Sequence, residues 1–153
     1  MNKNLTPGVE TVRVHAPVSA GSTDVTDCTV IDMLGREGVR FIVGFGTLTA
    51  STVTSISAQH SDAISSPTAL DGGEDIEGSD VALVQAEDSS TIAILELVEP
   101  TKRYVQLQIN RAVANAVVEF ALAEVFNAAR EPVPQHATVS HHKIVVTPVD
   151  GTP

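Results

Sequence analysis

The sequence predicts an all-β fold, specifically an antiparallel β-sandwich of jelly-roll-like type with an extended N-terminal arm. Val, Ile and Thr together account for 46 of the 153 residues, and such β-branched side chains pack well on a pleated sheet. Several segments alternate between apolar and other residues, as strands with one buried face do. Turn residues recur at intervals of roughly ten to fifteen residues, a spacing typical of sandwiches and barrels.

Three segments have a clear period of two: residues 11–18, 39–45 and 104–111. In a strand, alternate side chains share one face, so each pattern predicts a strand with one buried side. The apolar positions are Val12, Val14, Ala16 and Val18, then Val39, Phe41, Val43 and Phe45, then Val105, Leu107 and Ile109.

Other strands are predicted by apolar runs without alternation. Residues 91–98 are nearly all apolar and too short for a convincing helix, which favours a strand buried on both faces. A shorter strand over 81–85 precedes it, with residues 87–90 as a hairpin turn. A further strand is predicted within 137–149, ahead of a C-terminal tail at 150–153.

Two segments have more than one interpretation. Residues 112–129 combine helix-favouring Ala, Glu and Leu with strand-favouring Val and Phe, so local propensity leaves helix and strand both open. Gly44-Phe45-Gly46 begins like a dinucleotide-binding loop, but Thr49 occupies the position of the third glycine. We therefore interpret that segment as a strand with close backbone packing.

The charge distribution excludes some functions. Nine basic residues against 19 acidic ones give a formal net charge of −10, which argues against a nucleic-acid partner. No apolar run is long enough for a membrane helix, and the N-terminal residues lack the apolar stretch of a signal peptide. Ten of the acids lie in residues 62–99, and residues 71–80 are expected to form an exposed acidic loop.

The sequence contains no specific catalytic or metal-binding motif. The acidic loop could bind calcium, but an EF-hand fails because Ile76 occupies the position of the required glycine. No zinc-binding or nucleophile motif is present, and Cys28 is interpreted as a small buried hydrophobe. We therefore expect no enzymatic activity, no cofactor and no metal site. The histidines are expected to have ordinary surface or interface roles; they are His15, His60, His136, His141 and His142.

One basic cluster is a candidate interface with a partner protein. Lys102, Arg103 and Tyr104 lie at the start of the strand predicted over 104–111, and Arg111 ends it. Tyr and Arg are frequent interface anchors, and arginine can pair with a partner's carboxylate. The alternative is internal pairing with nearby acids such as Glu96 or Glu99.

Several short motifs follow one another over roughly residues 12–133: Val12-x-Val14-x-Ala16-Pro17-Val18, Val30-Ile31-Asp32-Met33, Gly38-Val39-x-Phe41, Pro100-x-x-Arg103-Tyr104-Val105 and Arg111-Ala-x-Ala-Asn115-Ala116. Their order resembles that of structural proteins of tailed bacteriophages, encoded near the major capsid protein. Some of these are similar to capsid cement, or decoration, proteins with a jelly-roll-like fold.

The resemblance implies a protein made in the host cytoplasm and bound to the outer capsid surface. Its implied partners are the major capsid protein and further copies of itself, with no nucleic acid, membrane or cofactor. The resemblance also favours a strand over 112–129. We expect an arm at residues 1–10 and one sandwich domain at 11–149. The alternatives are a neck, tail or head-fibre component, a ligand-binding sandwich for calcium or carbohydrate, and, less favoured, a hydrolase.

Overall fold

The computed structural model describes residues 8–49, 54–83, 88–111, 115–126 and 134–140, and over these ranges the chain is built from antiparallel β-strands. The strands are β1 (Glu10–His15), β2 (Val18–Gly21), β3 (Ile31–Asp32), β4 (Gly38–Leu48), β5 (Thr54–Ser61), β6 (Ala63–Ser66), β7 (Ala69–Asp71), β8 (Glu74–Asp75), β9 (Val81–Leu83), β10 (Ile92–Val98), β11 (Tyr104–Asn110) and β12 (Ala116–Phe126). Within these ranges no helix is both long and apolar enough to cross a membrane.

The strands form two main sheets that pack as a sandwich. In the first sheet the order is β1-β12-β4-β10, and β2 also pairs with β12. In the second sheet the order is β3-β11-β5-β8, and β9 also pairs with β5, while β6 and β7 form a separate hairpin. The predicted all-β antiparallel sandwich is confirmed, and the jelly-roll subtype stays a prediction.

The core lies between the two sheets, where the predicted alternation places it. Phe41 and Phe45 of β4 and Leu107 and Ile109 of β11 are buried in one apolar cluster. In residues 11–18, however, only Val12 and Val14 are buried. The chain leaves the sheet at Ala16 and Pro17 and re-enters as β2, so the single strand predicted there is in fact two.

The ambiguous segment 112–129 contains a strand, β12, which is the most highly paired strand of the first sheet. It pairs with β1 and β2 on one side and with β4 on the other. Ala121 and Ala123 point inward and are fully buried, opposite Val43 and Phe41 of β4. Small inward side chains fit beside the large ones of β4, so tertiary packing overrides the helix propensity of alanine.

Two predictions around β10 are wrong. Residues 91–98 are not buried on both faces, because β10 ends the first sheet and Ile92, Ile94 and Val98 are 58%, 50% and 64% exposed. β9 and β10 do not form the predicted hairpin with each other either, because β9 pairs with β5 in the second sheet and β10 pairs with β4 in the first. Of the predicted turn 87–90, residue 87 lies outside the described residues.

The acidic loop and the two ends of the chain differ in part from expectation. Residues 71–80 are mostly exposed, as predicted, but Glu74 and Asp75 form the edge strand β8. Glu10, assigned to the arm, is the first residue of β1, and residues 1–7 lie outside the described residues. Residues 137–140 contain a turn and no strand, and the rest of the predicted strand at 137–149, with the tail at 150–153, also lies outside them.

The outer face of the first sheet has glycines on β4 and large side chains on β12. Gly44 lies beneath the ring of Phe120, and Gly38 lies beneath the ring of Phe126. A β-carbon on either glycine would overlap the ring above it. The close backbone packing predicted for Gly44-Phe45-Gly46 is confirmed, and it covers this part of the sheet with aromatic surface.

We expect Gly44→Ala to lower the free energy of unfolding by about 2 kcal/mol, because the new methyl group would displace the Phe120 ring. Urea denaturation followed by circular dichroism measures the change. In a Phe120→Ala background the same substitution should cost much less, since the obstructing ring is gone. Equal costs in the two backgrounds would show that the ring is not the constraint.

Candidate functional site

Arg103 and Tyr104 form a stacked, ion-paired unit where the chain enters β11. The Arg103 guanidinium lies 4.9 Å from the Tyr104 ring centroid. Its Nε donates to Asp32 Oδ1 at 2.9 Å and its Nη2 donates to Asp32 Oδ2 at 2.7 Å. The register of β3 against β11 places Asp32 opposite Tyr104, so strand pairing holds the carboxylate in position. A two-point Arg–carboxylate pair fixes the orientation of both groups.

Lys102 also has an internal partner, because its Nζ lies 2.7 Å from Glu74 Oε2 on β8. Internal pairing was the alternative interpretation of this cluster, but the acids involved are Asp32 and Glu74, not Glu96 or Glu99. Both pairs remain at the surface: Arg103 and Asp32 are each 45% exposed and Glu74 is 65% exposed. The role of Lys102, Arg103 and Tyr104 as a partner interface stays a prediction.

The assignment of Arg111 to that interface is wrong. Arg111 is only 5% exposed, and its guanidinium is hydrogen-bonded to backbone carbonyls of the chain itself. Nε donates to Thr23 O at 2.6 Å, while Nη1 donates to Ser19 O at 2.9 Å and Ala116 O at 2.6 Å. Arg111 therefore links the segment around β2 to the start of β12. Without its guanidinium, these carbonyls would lose a hydrogen-bond donor.

A surface groove of about 410 Å³ lies beside the stacked Arg103–Tyr104 unit. It runs between residues 33–37 and residues 99–103, and we call it the end groove. Its apolar wall includes Leu34, which is 70% exposed at the tip of a turn. The Arg36 N–H donates to Met33 O at 2.9 Å to close this turn. The end groove is thus lined both by the exposed apolar side chain of Leu34 and by the oriented guanidinium of Arg103.

Asp32 organises both walls of the end groove. Besides holding Arg103, its Oδ1 accepts the Leu34 N–H at 3.0 Å, which fixes the turn that presents Leu34. The Met33 N–H donates to Arg103 O at 2.8 Å and joins the two segments through their backbones. The hydrogen bond from Arg103 lowers the pKa of Asp32 below its usual 3.8, although partial burial opposes the shift.

Cys28 is buried, and two carboxylates of the acidic loop, Glu74 and Asp75, have internal partners. Burial raises the pKa of the Cys28 thiol to about 12, which confirms its interpretation as a buried hydrophobe. Glu74 and Asp75 are adjacent in a strand and point to opposite sides: Glu74 pairs with Lys102, and Asp75 accepts a hydrogen bond from Gln59. Among the described residues, no group of three or more His, Cys, Asp or Glu is arranged to hold a metal ion.

A second, polar groove of about 420 Å³ lies on the outer face of the second sheet. Side-chain amides of β5 and β11 form one part of it, and the acidic loop forms another. Its polar lining includes Ser57, Gln59, Asp75, Asp80, Gln108 and Asn110. Such a surface offers both hydrogen-bond donors and acceptors.

Comparison with known proteins adds no relative: no family model matches the chain, and no curated protein matches it. Two residues that build this site were not predicted from the sequence: Leu34, which lines the end groove, and Asp32, which lies beside it and holds Arg103. Gly35 was a signal for the turn, and it adopts φ of 73°. The pairing of Asp32 with Arg103 had no local signal, because the two are separated by 71 positions in the chain.

Arg111 and Arg103 provide a matched pair for a stability experiment. We expect Arg111→Met to lower the free energy of unfolding by about 3 kcal/mol, because the Ala116 carbonyl loses a buried donor and the Thr23 carbonyl loses a part-buried one. Arg103→Met should lower it far less than Arg111→Met does, since its ion pair is solvent-screened. Chemical denaturation of both variants provides the measurement. Equal losses would contradict the different roles assigned to the two arginines.

Asp32→Asn should reveal the ion pair through its pH dependence. Because the folded-state pKa of Asp32 is depressed, its stabilising effect is present above the unfolded pKa and is lost as pH falls through the folded value, below 3.8. We therefore expect the melting temperature of the variant to be lower than that of the wild type at pH 7. In strong acid the two melting temperatures should converge. Calorimetry across that range tests this, and a difference independent of pH would contradict it.

Proposed function

We propose that this chain is a non-enzymatic structural protein of a phage virion that acts as a capsid cement, or decoration, protein. It binds the outer capsid surface and stabilises the shell by bridging neighbouring major capsid protein subunits. The resemblance found in the sequence supports the virion setting. The end groove supports the mode of action, because it is an oriented surface suited to a protein partner.

The observation that carries the proposal is the combination of Leu34 and Arg103 at the end groove. Leu34 is 70% exposed, so burying it against a partner would release apolar surface from water. Arg103 is held in place by Asp32 and stacked on Tyr104 before any partner arrives. Such preorganisation reduces the entropy lost on binding, and Tyr and Arg are common interface anchors.

The physical effect of a cement protein follows from mass action. A ligand that binds the assembled shell and not its separated subunits stabilises the assembly, and the effect grows with ligand concentration. The formal charge of −10 also fits a protein that stays dispersed until it meets a specific surface. We infer that binding at joints between capsid subunits raises the temperature at which the shell opens.

Two other functions have some support. A neck, tail or head-fibre component would use the same kind of contacts in a different assembly, and ring-shaped oligomers would favour it. The polar groove on the second sheet supports a carbohydrate-binding module, because its amides and carboxylates can bond to hydroxyl groups. A saturable rise in melting temperature with added oligosaccharide would favour that function.

The test is co-sedimentation of the purified protein with empty phage heads that lack it, together with the melting temperature of those heads. We expect saturable binding and a raised head melting temperature. Arg103→Ala should weaken binding at least about tenfold, because it removes a preorganised anchor. The matched control is Arg13→Ala, since Arg13 is an exposed arginine on β1, away from the end groove.

The outcomes separate the explanations. If Arg103→Ala binds normally but melts at a lower temperature, internal pairing explains the cluster and the interface assignment is wrong. If Arg13→Ala weakens binding equally, the loss of affinity comes from removing a positive charge anywhere on the protein and not from the end groove. If the wild type binds no heads and forms rings, a neck or tail component replaces the cement protein.

A further inference from the structure

The outer edge of β10 has unpaired backbone groups. No strand in the described part of the chain pairs with this edge of the first sheet. The Phe45 N–H donates to Thr91 O at 2.9 Å and the Glu99 N–H donates to Glu37 O at 2.6 Å, so odd-numbered residues bond to β4. Backbone bonding alternates along an antiparallel strand. The groups directed at the free edge therefore belong to Ile92, Ile94, Glu96 and Val98.

The same four residues carry the exposed side chains of β10. Ile92, Ile94 and Val98 are at least half exposed, and they alternate with inward-facing Ala93, Leu95 and Leu97. Proteins usually protect an edge strand with lysine, proline or a bulge, because a bare edge recruits another strand. Residues 92–98 contain no lysine or proline, and the register of β10 against β4 has no bulge.

The opposite edge of the first sheet is covered. On β1, the Thr11 N–H donates to Gln135 Oε1 at 2.9 Å and the Arg13 N–H donates to Thr138 Oγ1 at 3.0 Å. Gln135 Nε2 also donates to Val9 O at 2.7 Å. Side chains from residues 135–138 thus occupy the hydrogen-bonding positions of a further strand at β1. No such cover lies over β10 among the residues that the structure describes.

The sequence of β10 is complementary to itself in an antiparallel arrangement. With Leu95 on a twofold axis, Ile92 lies opposite Val98 of the second copy, and Ile94 lies opposite Glu96 of the second copy. All four edge-facing residues then find backbone partners, and the apolar side chains meet on one face. A twofold, self-complementary contact of this kind is the commonest form of homodimer.

The charge of the protein also favours a second copy at this edge. Two molecules with a formal charge of −10 repel each other, so self-association requires a region with few unbalanced acids. The only acid of β10 is Glu96; Arg40 of β4 lies opposite it in the register, but Arg40 is itself ion-paired with Glu124 of β12. Bringing two β10 strands together therefore brings one carboxylate from each copy to the contact, and the six other residues of each strand carry no charge.

We propose that two copies of this chain pair through β10 to form one continuous antiparallel sheet, with Leu95 at the twofold axis. The inference deepens the proposed function by assigning the surface of self-association. It uses the edge of the first sheet and leaves the end groove to the capsid. The two proposals can therefore fail separately, because one is tested by the mass of the free protein and the other by binding to heads.

The test is analytical ultracentrifugation of the full chain with two substitutions at Ile94. We expect a wild-type dimer. Ile94→Glu should raise the dimer dissociation constant at least about tenfold, because each new carboxylate faces Glu96 of the second copy. Ile94→Lys should dimerise much more tightly than Ile94→Glu, because each new ammonium group faces that same carboxylate. The matched control is Ile64→Glu on β6, which is 42% exposed and should leave the dimer unchanged.

Hydrogen exchange tests the backbone part of the proposal. In the dimer, the amides of Ile92, Ile94, Glu96 and Val98 should be protected, and dilution to the monomer should expose them while Ala93 and Leu95 stay protected. A wild type that is monomeric at all concentrations would overturn the proposal. So would equal dimerisation of Ile94→Glu and Ile94→Lys. Protection of the four amides that is independent of dilution would show that the edge is covered within a single chain, and would also overturn the proposal.

Discussion

The pairing of β4 with β12 is the constraint on which the rest of the structure depends. Each strand has eleven residues, and together they form the centre of the first sheet. On the inner face, Phe41 and Val43 of β4 lie opposite Ala123 and Ala121 of β12. On the outer face, phenylalanine rings of β12 lie over glycines of β4. Both faces are complementary in size, so a one-residue slip would place large side chains against each other and move apolar groups out of the core.

The positions of the two proposed surfaces follow from that central pair. On one side, β12 pairs with β1, whose outer edge is covered by residues 135–138. On the other side, β4 pairs with β10, whose outer edge has no partner strand among the residues that the structure describes. The end groove lies where residues 33–37 lead into β4 and residues 99–103 follow β10. A molecule with these features can join a copy of itself at one edge and a different protein at one end, which is what bridging a shell requires.

The sequence predicted what depends on local pattern and missed what depends on distant neighbours. Alternation in 39–45 and 104–110 predicted the core faces of β4 and β11, and Gly44 and Gly46 of β4 indicated close backbone packing. The hydrophobicity of residues 91–98 could not show that, within the described part of the chain, β10 has a paired strand on one side and none on the other. Arg103 and Arg111 lie near the two ends of β11, and the sequence around them does not distinguish their roles. Only Arg111 is buried, with its guanidinium hydrogen-bonded to the carbonyls of Ser19 and Thr23. That difference depends on chain segments about 90 residues away.

Cryo-electron microscopy of phage heads incubated with this protein would test the central claim most directly. The account predicts pairs of sandwiches on the outer surface, joined through β10 across a joint between capsid subunits. In each sandwich the end groove, with Leu34 and Arg103, would face the shell. Bare shells, or copies attached through the second sheet with the end groove exposed to solvent, would contradict it.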